Sequence, residues 1–65
     1  MSLTARQTEV VKLIAQGEKH SAIGSTLRIS PKTVEHHRGV VCRALNLRGT
    51  AELVRYAVRS GLIEA

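Results

Sequence analysis

Residues 28–48 read R-I-S-P-K-T-V-E-H-H-R-G-V-V-C-R-A-L-N-L-R, and a helix start is written into the first four of them. Ser30 is a good N-cap, because its hydroxyl can accept from a free backbone N–H of the first turn. Pro31 follows at the first helical position, where its fixed φ helps and its missing N–H costs nothing. The spacing predicts a helix over about 31–46. Val34, Val41 and Leu45 recur at helical intervals, with His37 and Ala44 flanking them. Projected at ~100° per residue, these gather on one side. Lys32, Glu35, His36, Gly39, Arg43 and Asn46 gather on the other. One face suits a core; the other, polar or basic, suits a partner.

The charge has a place as well as a sign. Ten Lys/Arg stand against five Asp/Glu in 65 residues, a net +5. Within residues 28–48, Arg28, Lys32, Arg38, Arg43 and Arg48 face the single acid Glu35, so +4 of that +5 lies here. A solvated surface mixes its signs, and clustering along one helix points to a polyanion. Length allows one domain, close to the lower limit for folding without disulfides, metal or association. Cys42 is the only cysteine, so no internal disulfide can form, and a packed thiol is the expectation. No run of ~18 apolar residues exists, and the start lacks the basic-then-apolar order of a signal peptide. The expectation is a soluble, cytoplasmic chain with no membrane contact. Tyr56 is the only aromatic residue, so the core must be aliphatic.

Outward from that stretch, three further helices are legible. Thr4 with Gln7 matches a capping box and predicts a helix from about Thr4 to Gln16, apolar at Val10, Leu13 and Ile14. Gly17 is its left-handed stop, and Arg6 is expected to pair with Glu9 on the surface. A second helix is expected over roughly Lys19 to Arg28, with a poorly marked start for which Ser21 is the best available cap. Ile23 and Leu27 are its apolar pair. Gly24 between them costs ~1 kcal/mol against alanine in a helix interior. A neighbouring helix crossing directly over it would explain the choice; leucine should then disrupt the fold, while alanine should be tolerated. Arg28-Ile29-Ser30 makes a short turn into the third helix, so the pair reads as a helix-turn-helix. The fourth helix covers about Thr50 to Ser60, after a break at Arg48-Gly49, with Glu52 in its first turn and Gly61 just past its end. Leu53, Ala57 and Leu62 form its core stripe. Ala51, Val54 and Val58 form a second stripe, which is either wrapped by the bundle or a dimer contact. The fold class is all-α: a compact four-helix domain containing a helix-turn-helix, with a C-terminal fourth helix and one domain over 1–65.

Other chemistry finds little support. His36 and His37 are adjacent, so their side chains diverge by ~100° on a helix and do not readily share a metal. There is no glycine-rich phosphate loop and no pair of carboxylates beside a base. Neither an enzyme nor a metal or cofactor is expected.

Three stretches carry a resemblance: L-T-A-R-Q…V-V-K-L-I-A-Q-G at the start, I-G-S-T-L-R-I-S-P-K-T-V-E-H-H-R in the middle and A-E-L-V-R-Y-A-V-R-S-G-L-I at the end. Together the chain resembles the LuxR-type (GerE-like) helix-turn-helix domain of bacterial transcriptional regulators over essentially its whole length. The resemblance implies binding of double-stranded DNA as a dimer, with the third helix in the major groove and the fourth helping to pair two copies. It places Lys32, Thr33 and His37 near phosphates, and Glu35, His36 and Gly39 toward base edges. Departures are visible. The family usually has proline at Ala5, glutamate at Gln7, alanine at Gly24, and commonly asparagine at Val40 and lysine at Ala44. Where it often has serine or threonine and then asparagine, this chain has Lys19 and His20, and both suit phosphate. Arg38 and Arg43 complete the cationic set.

Two readings follow. In the first, the chain is a sequence-specific DNA-binding domain that forms a weak homodimer through Ala51, Val54 and Val58, strengthened on DNA, with RNA polymerase or another regulator as a further partner. In the second, it is an interaction module of helix-turn-helix shape that modulates another regulator through Val40 or the fourth helix. The charge of the central stretch favours the first. Whether the chain is a complete small regulator or the end of a larger one stays open at this level.

Overall fold

A computed structural model describes residues 2–64 of the chain. The capping box expected near its start is complete: the Gln7 N–H donates to Thr4 Oγ1 (3.1 Å) and the Thr4 N–H donates to Gln7 Oε1 (2.9 Å). Helix α1 (Ala5–Ala15) runs from it and stops at Gly17, where φ is +90°. Helix α2 spans His20–Leu27, α3 Pro31–Leu45 and α4 Thr50–Arg59. No strand occurs among the described residues. The expected single domain over 1–65 includes Met1 and Ala65, which lie outside them.

The third helix starts as its sequence requires. The Thr33 N–H donates to Ser30 Oγ at 3.0 Å, and the two hydroxyls are themselves 2.9 Å apart. The start of α2 differs from expectation. Lys19 takes the N-cap position with extended backbone but no side-chain bond to the helix, and Ser21 lies inside the helix rather than capping it. The entry to α2 is therefore set by packing, not by a capping side chain. Arg6 also departs from its expected partner: its Nη1 donates to the Leu27 carbonyl (3.4 Å), fastening α1 to the end of α2, and Glu9 is left out. Asn46 ends α3 in left-handed geometry (φ 56°), two residues before the expected break at Arg48. Asparagine is one of the few non-glycine residues that visits this region readily. In α4 the Arg48 N–H donates to Glu52 Oε1 at 2.9 Å, so the first-turn acid also ties down the preceding loop.

Helix α1 touches the other three; α2 packs chiefly on α3, and α4 chiefly on α1. The core is Val10, Val11, Ile14, Ile23, Val34, Val41, Cys42, Leu53 and Ala57. Each fully buried aliphatic chain contributes ~1.5–3 kcal/mol relative to exposure. Ordering the chain offsets most of the sum, which leaves so small a domain only marginally stable. Cys42 is a packed thiol in the core, as expected. Leu62 packs against this core from beyond α4. Ala51 stays exposed and Val54 and Val58 are half-buried, so the bundle covers the second stripe only in part.

Gly24 has a different neighbour from the one expected. A Cβ there would stand 2.5 Å from the Ile29 carbonyl oxygen, 3.4 Å from Pro31 N and 3.5 Å from the Ser30 carbonyl carbon. The backbone of the turn, not a crossing helix, rests on this glycine. The Gly24 carbonyl in turn accepts the N–H groups of Arg28 and Ile29. Alanine is therefore not tolerated without moving the turn, which reverses the expectation for Gly24→Ala.

The turn itself is made by Arg28, left-handed at φ 59° and ψ 44°. Arginine gains nothing there, since a Cβ in this region costs ~1 kcal/mol or more. Arg28→Gly should raise stability by about 0.5–1 kcal/mol, read as a rise of a few degrees in melting temperature. A lower melting temperature would mean that the arginine side chain, rather than its backbone, holds the turn.

Candidate nucleic-acid interface

The helix-turn-helix presents one face of α3 and the N-terminal end of α2. Lys32, His36 and Arg43 are exposed on α3, with Gly39 half-buried between them. Gly39 leaves bare backbone on this face, and the Arg43 guanidinium folds back toward it: a Cβ at Gly39 would lie 3.9 Å from Arg43 Nη1. Lys19, exposed, stands at the entry to α2 beside the half-buried His20. Among the described residues, none of Lys19, Lys32 and Arg43 has a carboxylate within ion-pair distance. Unneutralised cations grouped on one helix face and an adjacent helix end suit an anionic backbone.

The remaining expected residues divide. His37 is half-buried, as its place near the core side requires, and its ring lies 6.1 Å from that of His36 at an interplanar angle of 60°. That divergence matches neighbouring positions on a helix. No group of three or more His, Cys, Asp or Glu side chains able to hold a metal occurs among the described residues. Thr33 is half-buried with its hydroxyl engaged at Ser30. Val40 is half-buried and Ala44 exposed, so the lysine usual at 44 is absent from an open position.

Glu35 has two uses open to it on this helix, accepting from a base or holding Lys32 or Arg38 three residues away on either side, and it forms a unit with Arg38. Arg38 Nε donates to both carboxylate oxygens, at 3.0 and 3.1 Å, and Nη2 also donates to Oε1. Arg38 Nη1 lies 3.8 Å from Cys42 Sγ, laying the guanidinium along the flank of the helix. Oε2 of Glu35 is 3.4 Å from Nδ1 of His20, so the carboxylate leans toward α2 rather than the centre of the exposed face. The Arg38 hydrogen bond holds the Glu35 carboxyl below its ordinary value, against an opposing effect of burial. The same bond raises Arg38 above its own. Because the Glu35 value is lowered, the contribution of this pair to stability is complete at neutral pH and lost only as acid protonates the carboxylate. Glu35 is exposed and Arg38 only half-buried, so solvent screens the pair and that contribution is small.

No helix among the described residues is long and apolar enough to cross a membrane. An open groove of about 290 Å³ lies between α1 and α2, lined by Glu9, Lys12, Leu13, Gln16, Thr26 and Leu27. The charges of its one acid and one base balance, and it shares no residue with the α3 face.

The family model for bacterial regulatory proteins of the luxR family matches residues 1–57. The chain belongs to this family. The luxR-family chain is 38% identical over 64 residues to the response regulator UvrY of Escherichia coli K12, covering 98% of this chain and 29% of that protein. It is 40% identical over 62 residues to the oxygen regulatory protein NreC of Staphylococcus epidermidis, covering 95% of this chain and 28% of that one. It is also 38% identical over 60 residues to the response regulatory protein YgeK of Escherichia coli K12, covering 92% and 41%. The chain thus spans less than half the length of these curated relatives. Among solved structures none matches. Family membership and the four-helix architecture agree with the resemblance carried by the S-P-K-T-V-E-H-H-R stretch.

Proposed function

We propose that this chain is a cytoplasmic, sequence-specific binder of double-stranded DNA that regulates bacterial transcription. The observation that carries this reading is the exposed face of α3, where Lys32 and Arg43 stand unneutralised on either side of Gly39, in a chain of the luxR family. Its relatives are named as response and oxygen regulators, which fits an output role. In this reading α3 enters the major groove. Lys19, His20, Lys32, Thr33, His37 and Arg43 contact phosphates, while His36 and the bare backbone at Gly39 meet base edges. Neutralising roughly three to five phosphates per monomer gives a slope of about −3 to −5 in log affinity against log salt. A titration of duplex binding against salt checks this, and measurable binding with a slope near zero would contradict a phosphate-dominated contact.

Pairing is assigned to α4. Ala51, Val54 and Val58 offer a small, partly open stripe beside the buried Leu53 and Ala57, enough for a weak contact and far below an obligate interface. The free protein should be monomeric at low micromolar concentration. On DNA it should pair across two half-sites about one helical turn apart. Val54→Arg should abolish cooperative occupancy of the double site and leave binding to one half-site nearly intact. A tight dimer in sedimentation that Val54→Arg does not disturb would place the contact elsewhere.

A further inference from the structure

Glu35 is the one acid on α3, and a bare carboxylate facing DNA would be repelled by phosphate. Its geometry shows a different use. A carboxylate has about four acceptor sites. Here two N–H groups of Arg38 donate, Nε–H shared between both oxygens and Nη2 to Oε1, and Nδ1 of His20 lies within ion-pair distance of Oε2 at 3.4 Å. A base amino group would have to compete with these partners for the carboxylate. His20 belongs to α2 and Glu35 to α3, so one carboxylate joins the two helices of the helix-turn-helix at the edge of the face assigned to DNA. Nδ1 is the ring nitrogen turned to the carboxylate, within ion-pair distance, and Nε2 is left for an outside partner. The His20 side chain keeps 38% of its surface exposed, and Nε2 has no protein hydrogen bond among the described residues. Arg38, by contrast, has its charge paired with Glu35 and each of its three nitrogens engaged, which makes it a poorer phosphate cation than the unpaired Lys32 and Arg43.

We propose that Glu35 is a positioning residue that acts through His20, holding the imidazole against α3 so that its Nε2 meets the DNA at the edge of the groove. This rests on the DNA-binding reading above. It removes Glu35 from the base-reading set, ranks Arg38 below Lys32 and Arg43 as a phosphate cation, and makes His20 the residue through which α2 contributes.

A double-mutant cycle on duplex affinity tests it, with the unsubstituted chain, His20→Ala, Glu35→Ala and the double variant at one pH and salt concentration. Deleting the carboxylate also relieves repulsion from phosphate, but that effect is common to both Glu35→Ala backgrounds and cancels in the cycle. His20→Ala should weaken binding about three- to tenfold in the unsubstituted chain and less than about twofold in Glu35→Ala. Glu35→Gln, which keeps an acceptor for Nδ1, should restore most of the His20 effect. Selection on randomised half-sites should return the same base preferences for Glu35→Ala as for the unsubstituted chain. Equal losses from His20→Ala in both backgrounds, or a changed preference at one base position in Glu35→Ala, would overturn this inference and leave DNA binding standing. Failure of the unsubstituted chain to bind any duplex would overturn the DNA-binding reading and this inference with it.

Discussion

Gly24→Ala lowers the melting temperature of the domain, by an expected 5–15 °C, and Gly24→Leu does not fold. Two effects compete in the alanine variant. Alanine gains up to ~1 kcal/mol over glycine in a helix interior, and further by restricting the unfolded chain. Against this, its Cβ would stand 2.5 Å from the Ile29 carbonyl oxygen, closer than real methyl groups come to an oxygen. The oxygen belongs to the backbone, and its residue's N–H is bonded back to the Gly24 carbonyl at 2.9 Å, so the turn cannot yield on one side alone. Overpacking costs ~1–3 kcal/mol, occasionally more, and a contact this short against backbone stands at the upper end or beyond. A net loss of ~1–2 kcal/mol is expected, and each kcal/mol moves the midpoint of a domain this size by about 4–8 °C. A leucine adds three more carbons to the same clash. Calorimetry or circular dichroism on the three chains decides it; an unchanged or higher midpoint for Gly24→Ala would mean that the turn between α2 and α3 sits farther from Gly24.

The helix-turn-helix was legible because its decisive elements are local. Thr4 and Gln7, or Ser30 and Pro31, lie within one turn of each other, and their bonds follow from chain geometry once the helix forms. The entry to α2 was not legible, because Lys19 offers no capping bond and packing on α3 fixes that end. Arg28 gives no sign of a left-handed backbone, since nothing about arginine favours it. In the candidate interface, the periodicity of α3 placed Lys32, His36 and Arg43 on an exposed face, where they lie. It put Glu35 there too, and Glu35 is exposed; what it does not give is the lean of the carboxylate toward His20, fifteen positions earlier and on another helix. Periodicity within one helix carries no information about such a partner. Val11 is fully buried as well, three residues before Ile14, a helical interval that the pattern Val10, Leu13 and Ile14 leaves out.

Reversing the charge on the α3 face has the largest expected effect on binding. Lys32 and Arg43 are both exposed and neither has an acidic partner among the described residues, so replacing them breaks no ion pair. Lys32→Glu puts an acid in the first turn of α3, which the helix dipole favours; Arg43→Glu puts one in the last turn, which it disfavours. The two nearly cancel, and the fold should keep its stability to within ~0.5 kcal/mol. For a polyanion the result is different. Two phosphate contacts are lost and two repulsions gained, and duplex affinity at low salt should fall by about a hundredfold or more. All sequences should weaken alike, because phosphate contacts position the protein and carry little sequence information.

That comparison bears directly on whether the exposed face of α3 meets DNA: duplex affinity of the unsubstituted chain and of Lys32→Glu/Arg43→Glu, measured side by side at low salt with melting curves for both. The expected result is tight, salt-sensitive binding by the first and a loss of about a hundredfold or more in the second, with melting curves that superimpose. Equal affinity of the two folded chains for the duplex would contradict it.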